Sequence, residues 1–318
     1  MAMDKIRIGH LTTAYHTAFI LMGTDWLENK AGIKAAWSMF PTGPAMMKAF
    51  HQNELDIGYV GLPPAMIEIT KGTGLRCIAG GHVEGTVVIA KGDLRTFEET
   101  GSMRDTLKQL IGKVVGTPSK GSIHDVLIRT MLEESGLQRE VEVRNYPWAD
   151  LALDAMERDE VQAAAGTPSL AVVGRRLTSK AKILIPPNRI WPYNPSYGIV
   201  AAQEAFESSA NVLKRFLTLH EGACNLIRGY PRAAAKVASR TAGIMDEGFV
   251  YEVYKVSPKY CASIPGQYIN ATMEFVPVLQ KMGYIPKKLD EQDVFQKSLI
   301  QDVHQGPPHY DDPLALAQ

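Results

Sequence analysis

Residues 40–50 read FPTGPAMMKAF and residues 146–156 read YPWADLALDAM. Each sets an aromatic residue and a proline ahead of apolar residues at helical spacing, and the two stretches lie 106 residues apart. The match continues. NELDIGYVGLPPAM, from Asn53, parallels DEVQAAAGTPSLAV, from Asp159, each an acidic turn, a short strand and a Gly-X-Pro step into a helix, with Gly61 paired to Gly166. Upstream, KIRIGHLTTAYHTAFILMG from Lys5 parallels GKVVGTPSKGSIHDVLIRTM from Gly112, and Gly9 answers Gly116. Both read as an alternating apolar strand, a polar turn and an amphipathic helix. A repeat of this length sets the architecture before any local assignment does. Short strand-helix patterns also resemble one another for physical reasons alone, which is the alternative to a duplication.

Two copies of strand-helix-strand-helix-strand-helix with short connections describe two α/β lobes, each a parallel sheet with helices on both faces. GTVVIAKGD, from Gly85, lies between the copies, and SYGIVAAQE, from Ser196, follows the second. Both are β-rich and stand where the chain must pass between lobes, so they are expected to be the hinge strands. Beyond residue 203 the pattern turns helical, through ANVLKRFLTLHEGACNLIRGYPRAAAKVAS and QYINATMEFVPVLQKMGY, with Gly and Pro breaks. That tail is expected to pack mainly on the first lobe. Lobe one is then discontinuous, residues 1–88 and 200–318, and lobe two is residues 89–199.

Composition bounds the function. With 318 residues, 45% hydrophobic and 21% charged, the chain can bury a full core and suffices for about two domains. Thirty-four Lys and Arg balance thirty-four Asp and Glu without a run of one sign, so the footprint of a nucleic-acid binder is absent. Cys77, Cys224 and Cys261 are too far apart in sequence for a zinc module and too few for a disulfide scaffold. No apolar run approaches the roughly 20 residues that span a bilayer, and no export segment precedes the first strand. Met1-Ala2 reads equally as a scar on a trimmed mature chain or as the start of a cytoplasmic one.

In open parallel sheets ligands bind beyond the carboxyl ends of the strands. The residues expected there in lobe one are Thr12, Thr13, Tyr15, His16, Thr42, Gly43, Gly61 and Leu62, with Pro63 next to them. In lobe two they are Ser119, Lys120, Gly121, Ser122, His124, Trp148 and Thr167, with Thr117 nearby. The SKGS turn from Ser119 opens a helix, and a helix start offers free N–H groups and partial positive charge to an anion. Ser122 as a simple N-cap is the competing reading. The turn lacks the spacing and the GKS or GKT ending of a nucleotide-binding loop.

Tyr15, Trp148, Trp191, Tyr193 and Tyr197 fall near predicted cleft loops or hinge ends, with Trp148 and Tyr197 the preferred pair. Aromatic walls suit an organic ligand, although core packing explains aromatics as well. His10, His16, His82 and Glu84 lie near strand ends without diagnostic metal spacing. No metal and no cofactor are expected. The chain has no HExxH, no Gly-X-Ser-X-Gly elbow and no recognisable catalytic cysteine signature.

The stretches IRIGHLTTAYHTAF, ELDIGYVGLPPAMI and GKVVGTPSKGSIHDVLIRTMLEESGL resemble the solute-binding components of ABC importers of the nitrate, sulfonate and taurine type, which include binders of thiamin precursors. The resemblance covers roughly residues 4–285. It implies a type II periplasmic-binding-protein-like fold, two lobes joined by two crossover strands, with a small and often anionic ligand between them. It implies binding positions at Thr12–His16, Thr42, Gly43, Gly61, Leu62, Ser119–Ser122 and Thr167.

The expected function is therefore capture of a small, anionic organic solute between closing lobes for ABC import. The expected partners are that ligand and, if the chain is exported, a transporter permease, with the protein itself a monomer. The location is then extracytoplasmic. Enzymes of the cytoplasm also resemble these binders, among them the thiamin pyrimidine synthase, menaquinone-pathway enzymes and an aromatic desulfinase. The cysteine-rich motif of the synthase is missing here, and Tyr15-His16 stands where the desulfinase has its nucleophilic cysteine. A cytoplasmic enzyme or sensor, with His16 or His124 as general acid or base, is the alternative. No helix-turn-helix segment precedes the first strand, which disfavours a transcriptional regulator.

Overall fold

The structure, a computed structural model, describes residues 4–177 and 181–315, and the side chains of all of these except residues 149, 150 and 177. The expected lobe limits at residues 1 and 318 lie outside it. The first sheet is built from β1 (Asp4–Leu11), β2 (Ile33–Phe40), β3 (Ile57–Val60) and β4 (Leu75–Val83), with helices α1 (Ala18–Met22), α2 (Gly43–His51) and α3 (Leu62–Thr70) between them. The chain then enters the second sheet through β5 (Val87–Ala90) and the short helices α4 (Phe97–Thr100) and α5 (Met103–Lys108). There follow β6 (Val114–Pro118), α6 (Ile123–Glu134), β7 (Glu142–Tyr146), α7 (Ala149–Glu157), β8 (Ala163–Gly166), α8 (Pro168–Leu177) and β9 (Lys182–Ile185). It returns through β10 (Pro195–Ala202) and ends in α9 (Gln203–Ser208), α10 (Ala210–Gly229), α11 (Pro231–Ala242), α12 (Glu247–Val256), α13 (Gly266–Met273), α14 (Phe275–Lys281), α15 (Glu291–Val294) and α16 (Ser298–Val303).

The strand orders are β2-β1-β3-β10-β4 and β7-β6-β8-β5-β9, the same arrangement twice. β8 and α7 begin and end 106 residues after β3 and α2. The central strands β3 and β8 are buried at every position, as strands covered on both faces must be. Gly9 and Gly116 hold matching places: a Cβ on Gly9 would lie 3.2 Å from Met46 of α2, and one on Gly116 would lie 3.0 Å from Ala152 of α7. The expected pairing of Gly61 with Gly166 is one residue out, since Gly61 precedes α3 as Thr167 precedes α8.

The expectation of wholly parallel sheets requires correction. β10 runs antiparallel to β3 and β4, and β5 runs antiparallel to β8 and β9. Each sheet thus receives one strand from the chain as it arrives from the other, and an arriving strand inserted beside β3 or β8 enters in the reverse direction. GTVVIAKGD and SYGIVAAQE supply the expected crossover strands, β5 and β10, each paired within the sheet it enters. The passages between sheets are residues 84–86 and 186–194, so the sheets change over a few residues earlier than the limits 88 and 199. The two passages touch: Glu84 N–H donates to the Asn194 carbonyl at 2.9 Å, and Tyr193 N–H donates to Glu84 Oε1 at 3.0 Å. Glu84 (φ 59°) and Tyr193 (φ 58°) are both left-handed, a conformation costly for side-chain-bearing residues.

The C-terminal helices pack on the first sheet and also reach the second. α10 and α11 cover α1, while α15 and α16 lie against β4. α12 packs on α8 and α14 on α6. There Arg176 pairs with Asp246 (2.7 Å) and Glu252 (3.3 Å), and Lys281 pairs with Glu133 (3.1 Å).

Candidate functional site

A cavity of about 90 Å³ lies where the two sheets present their strand ends to each other. From the first sheet it is lined by Leu11, Thr12, Thr13, Tyr15 and His16 after β1, Pro41, Thr42 and Gly43 after β2, and Gly61 and Pro64 after β3. Pro118, Ser122, Ile123, His124, Thr167 and Ser169 face it from the second sheet, and Ser196 from the start of β10. Drug-sized pockets run roughly 300–1,000 Å³, so this one suits a much smaller molecule.

The helix starts around the cavity are built by local sequence. Thr42 caps α2 by accepting the Ala45 N–H at 3.4 Å, and Ser122 caps α6 by accepting the Asp125 N–H at 3.3 Å. The first amides of α6, at Ile123 and His124, have no partner within a helix and meet the cavity with the positive end of the dipole. Prolines at the starts of α2, α3 and α8 remove N–H groups that a helix would otherwise leave free. α6 is thus the richest in donors.

Among the described residues no Lys, Arg, Asp or Glu lines the cavity. Its two histidines are neutral at ordinary pH. Burial pulls His124 down to about 4, and burial followed by repulsion from His82 and His10 holds His16 well below its ordinary value. His124 Nδ1 lies 2.8 Å from Thr86 Oγ1. Tyr15 Oη lies 2.9 Å from Ser196 Oγ, and burial pushes its phenol upward, so it is a hydroxyl donor and acceptor only. Thr13 Oγ1, His16 Nδ1 and Ser169 Oγ are buried without a hydrogen-bond partner among the described residues. Buried polar atoms are seldom left so, and all three belong to cavity-lining residues.

Of the residues expected at the site, the fold brings together Thr12, Thr13, Tyr15, His16, Thr42, Gly43, Gly61, Ser122, His124 and Thr167. Leu62, Ser119, Lys120, Gly121, Trp148 and Tyr197 stand elsewhere. Leu62 is fully buried in the core. Gly121 gives its N–H to Asp125 Oδ2 at 2.9 Å, and Lys120 is exposed with its ammonium 5.7 Å above the Tyr284 ring. Gly121 and Ser122 of the SKGS turn therefore serve their own helix, Ser119 Oγ is buried without a partner among the described residues, and Ser122 is the residue of the turn that lines the cavity. Trp148 is 39% exposed at the start of α7. Tyr197 is buried beneath the cavity with its ring 4.1 Å from that of His16. Trp191 stacks on Phe275 of α14 at 4.4 Å.

Tyr197 closes a chain of hydrogen bonds. His220 Nε2 donates to the Gly80 carbonyl at 2.8 Å, so Nδ1 accepts from Thr17 Oγ1 at 2.9 Å, and Tyr197 donates to Thr17 at 3.3 Å. The chain braces the turn that carries Tyr15 and His16. Sequence reading missed Ser169 and Ser196 along with the prolines and Ile123. Ser169 sits where Pro63 sits in the other copy of the repeat, a signal that was available.

Two lobes of this strand order around a shared cavity define the type II fold of periplasmic solute-binding proteins. The chain belongs to the NMT1-like family, whose model matches residues 2–242. Among solved structures it is similar to the ligand-binding component of an ABC-type import system from Staphylococcus aureus with zinc bound, at 14% identity and TM-score 0.79 over 95% of this chain and 100% of that one. It is also similar to the alkanesulfonate-binding protein of Xanthomonas axonopodis pv. citri bound to MOPS, at 18% identity and TM-score 0.76 over 93% and 99%. The periplasmic nitrate-binding protein of Synechocystis PCC 6803 aligns at 11% identity and TM-score 0.76 over 95% and 89%. No curated protein sequence matches the chain.

Proposed function

We propose that the protein is a solute-binding component of an ABC importer, which holds a small polar organic molecule between its lobes and delivers it to a permease. The observation that carries this reading is the cavity between the strand ends of both sheets, with three lining residues whose buried polar atoms lack partners among the described residues. An enclosed site lined from both lobes favours the closed form in proportion to the contacts the ligand makes with each. Because its described lining residues hold no formal charge, the cavity suits a neutral molecule or a monoanion whose negative end meets the amides of α6 and the hydroxyls of Thr12, Thr42 and Ser122. A sulfonate, nitrate or carboxylate held in this way meets no arginine or lysine counter-charge among the described lining residues.

This reading puts the protein at work outside the cytoplasmic membrane, as a monomer with a permease partner. Among the described residues no helix is long and apolar enough to cross a membrane. General acid-base chemistry at neutral pH has little support, since His16 and His124 are both drawn away from neutrality by burial.

Thermal unfolding against nitrate, alkyl and aryl sulfonates, aromatic carboxylates and thiamin pyrimidine precursors tests the proposal. A ligand at 100 times its Kd stabilises the folded state by about 2.7 kcal/mol. A shift with one class, accompanied by compaction in small-angle scattering, is expected. Binding without compaction counts against the clamp, and conversion of the ligand to a product counts against a carrier.

A further inference from the structure

The C-terminal stretch carries two histidines, His304 and His309, that meet Glu221 of α10, with one ligand atom from each residue within 4.8 Å of the other two. None of the three lines the cavity between the sheets. Glu221 uses Oε2 to accept the Ala262 N–H at 3.0 Å, leaving Oε1 toward His304.

The hydrogen bonds set the tautomers. His304 Nε2 is 2.9 Å from the Pro307 carbonyl, which only accepts, so Nε2 carries a hydrogen and Nδ1 of the neutral ring carries a lone pair. That Nδ1 faces Glu221 Oε1 at 3.4 Å. In that tautomer two lone-pair atoms face each other across a gap that a cation can bridge. A direct N–H···O bond would be shorter, about 2.7–3.2 Å. Nitrogen and oxygen ligands about 2.0–2.2 Å from a tetrahedral zinc are separated by roughly 3.3–3.6 Å, which this spacing meets. His309 Nδ1 lies 2.8 Å from Asp312 Oδ2, the imidazole-to-carboxylate bond that orients metal-binding histidines and leaves Nε2 free to ligate.

We propose that Glu221, His304 and His309 form a binding site for a divalent transition-metal ion of the zinc type, with the remaining position open to water. Two imidazoles and a carboxylate suit zinc, cobalt(II) or nickel(II) better than calcium or magnesium. The side chains of His304 and Glu221 are 6% and 11% exposed and that of His309 is 30%, so the ion would be half-enclosed with a way in from solvent. Cys261 accepts the His309 N–H through sulfur at 3.3 Å and docks the stretch.

The site would pin a strap. Directly after His309, Tyr310 is buried with its hydroxyl donating to the Ser263 carbonyl at 2.9 Å, and Asp311 accepts from Lys259 at 3.2 Å. Lys259 in turn reaches Glu84 of the inter-sheet passage at 3.0 Å. A bound metal would thereby hold the C-terminal stretch against the passage between lobes.

The test is titration of the chelator-stripped full chain with Zn²⁺ and Co²⁺ by calorimetry, with elemental analysis after dialysis. One equivalent per chain is expected, with a Co²⁺ absorption band of four-coordinate intensity. His304→Gln and His309→Gln should each weaken binding roughly 100-fold or more, and Asp312→Ala by about 10–100-fold through the unsupported imidazole. Asp312 is exposed and its replacement leaves the core untouched, so it stays informative if the histidine variants fold poorly. Absence of wild-type binding in excess metal, or equal affinity in wild type and all three variants, would overturn the site.

Discussion

At the residue scale the buried histidines dominate the acid behaviour. Burial pushes His82 down to about 3, and His124 and His220 down to about 4, while His16 is held well below its ordinary value. The unfolded chain titrates near about 6.5, so between that value and about 4 it binds more protons than the native state does. Stability from these residues is complete above the unfolded value and is lost as pH falls through that window. Scanning calorimetry should show Tm level near neutrality and dropping from about pH 6.5 toward 4. A Tm unchanged between neutrality and pH 5 would mean that these rings protonate in place without cost. The chemistry of His16 and His124 was half legible: their positions after β1 and at the start of α6 followed from the strand-turn-helix pattern. Their neutrality did not, because desolvation depends on neighbours distant in sequence.

At the element scale β4 shows how one strand can organise two layers. Its Gly80 and Gly81 leave no room for a side chain, since a Cβ at Gly81 would sit 2.1 Å from the Tyr197 ring and one at Gly80 would sit 2.5 Å from the Ser263 carbonyl. Gly81→Ala should therefore displace Tyr197 and loosen the His16 turn above it, costing about 1–3 kcal/mol by overpacking. Urea unfolding should show a lower midpoint with an unchanged m-value. An unchanged midpoint would show that the sheet absorbs a methyl group there. The repeat itself was readable, because apolar periodicity survives in each copy. What periodicity concealed was strand direction: VVIA and GIVAA look alike whether they run with or against their neighbours.

At the scale of the whole molecule, Tyr284 joins the halves. It follows α14, and its hydroxyl donates at 2.8 Å to Oδ2 of Asp125, a fully buried carboxylate that also accepts from Arg129, Asn145 and the Gly121 N–H. Asp125 shapes the turn into α6, so Tyr284 connects the C-terminal helices with the cavity rim across the cleft. Tyr284→Phe removes one bond to a charged acceptor, about 1.5–3 kcal/mol of the closed form. Ligand affinity by calorimetry should fall by roughly tenfold or more. Full retention of affinity would show that closure does not depend on this contact.

The order and type of the elements, the twofold plan and the strand ends facing the cleft were determined by the sequence itself, because helix and strand periods, caps and Gly-Pro punctuation act over a few residues at a time. Ser122 could be read as a cap for that reason, and it is one. Only the tertiary structure decided that β5 and β10 run antiparallel, that Lys120 is exposed and Gly121 bonds within its own turn, and that Tyr197 braces the cavity from below. It alone brought Glu221 beside His304 and His309. Such contacts join residues tens to hundreds of positions apart, and their geometry follows from how packed layers settle, which no local pattern encodes.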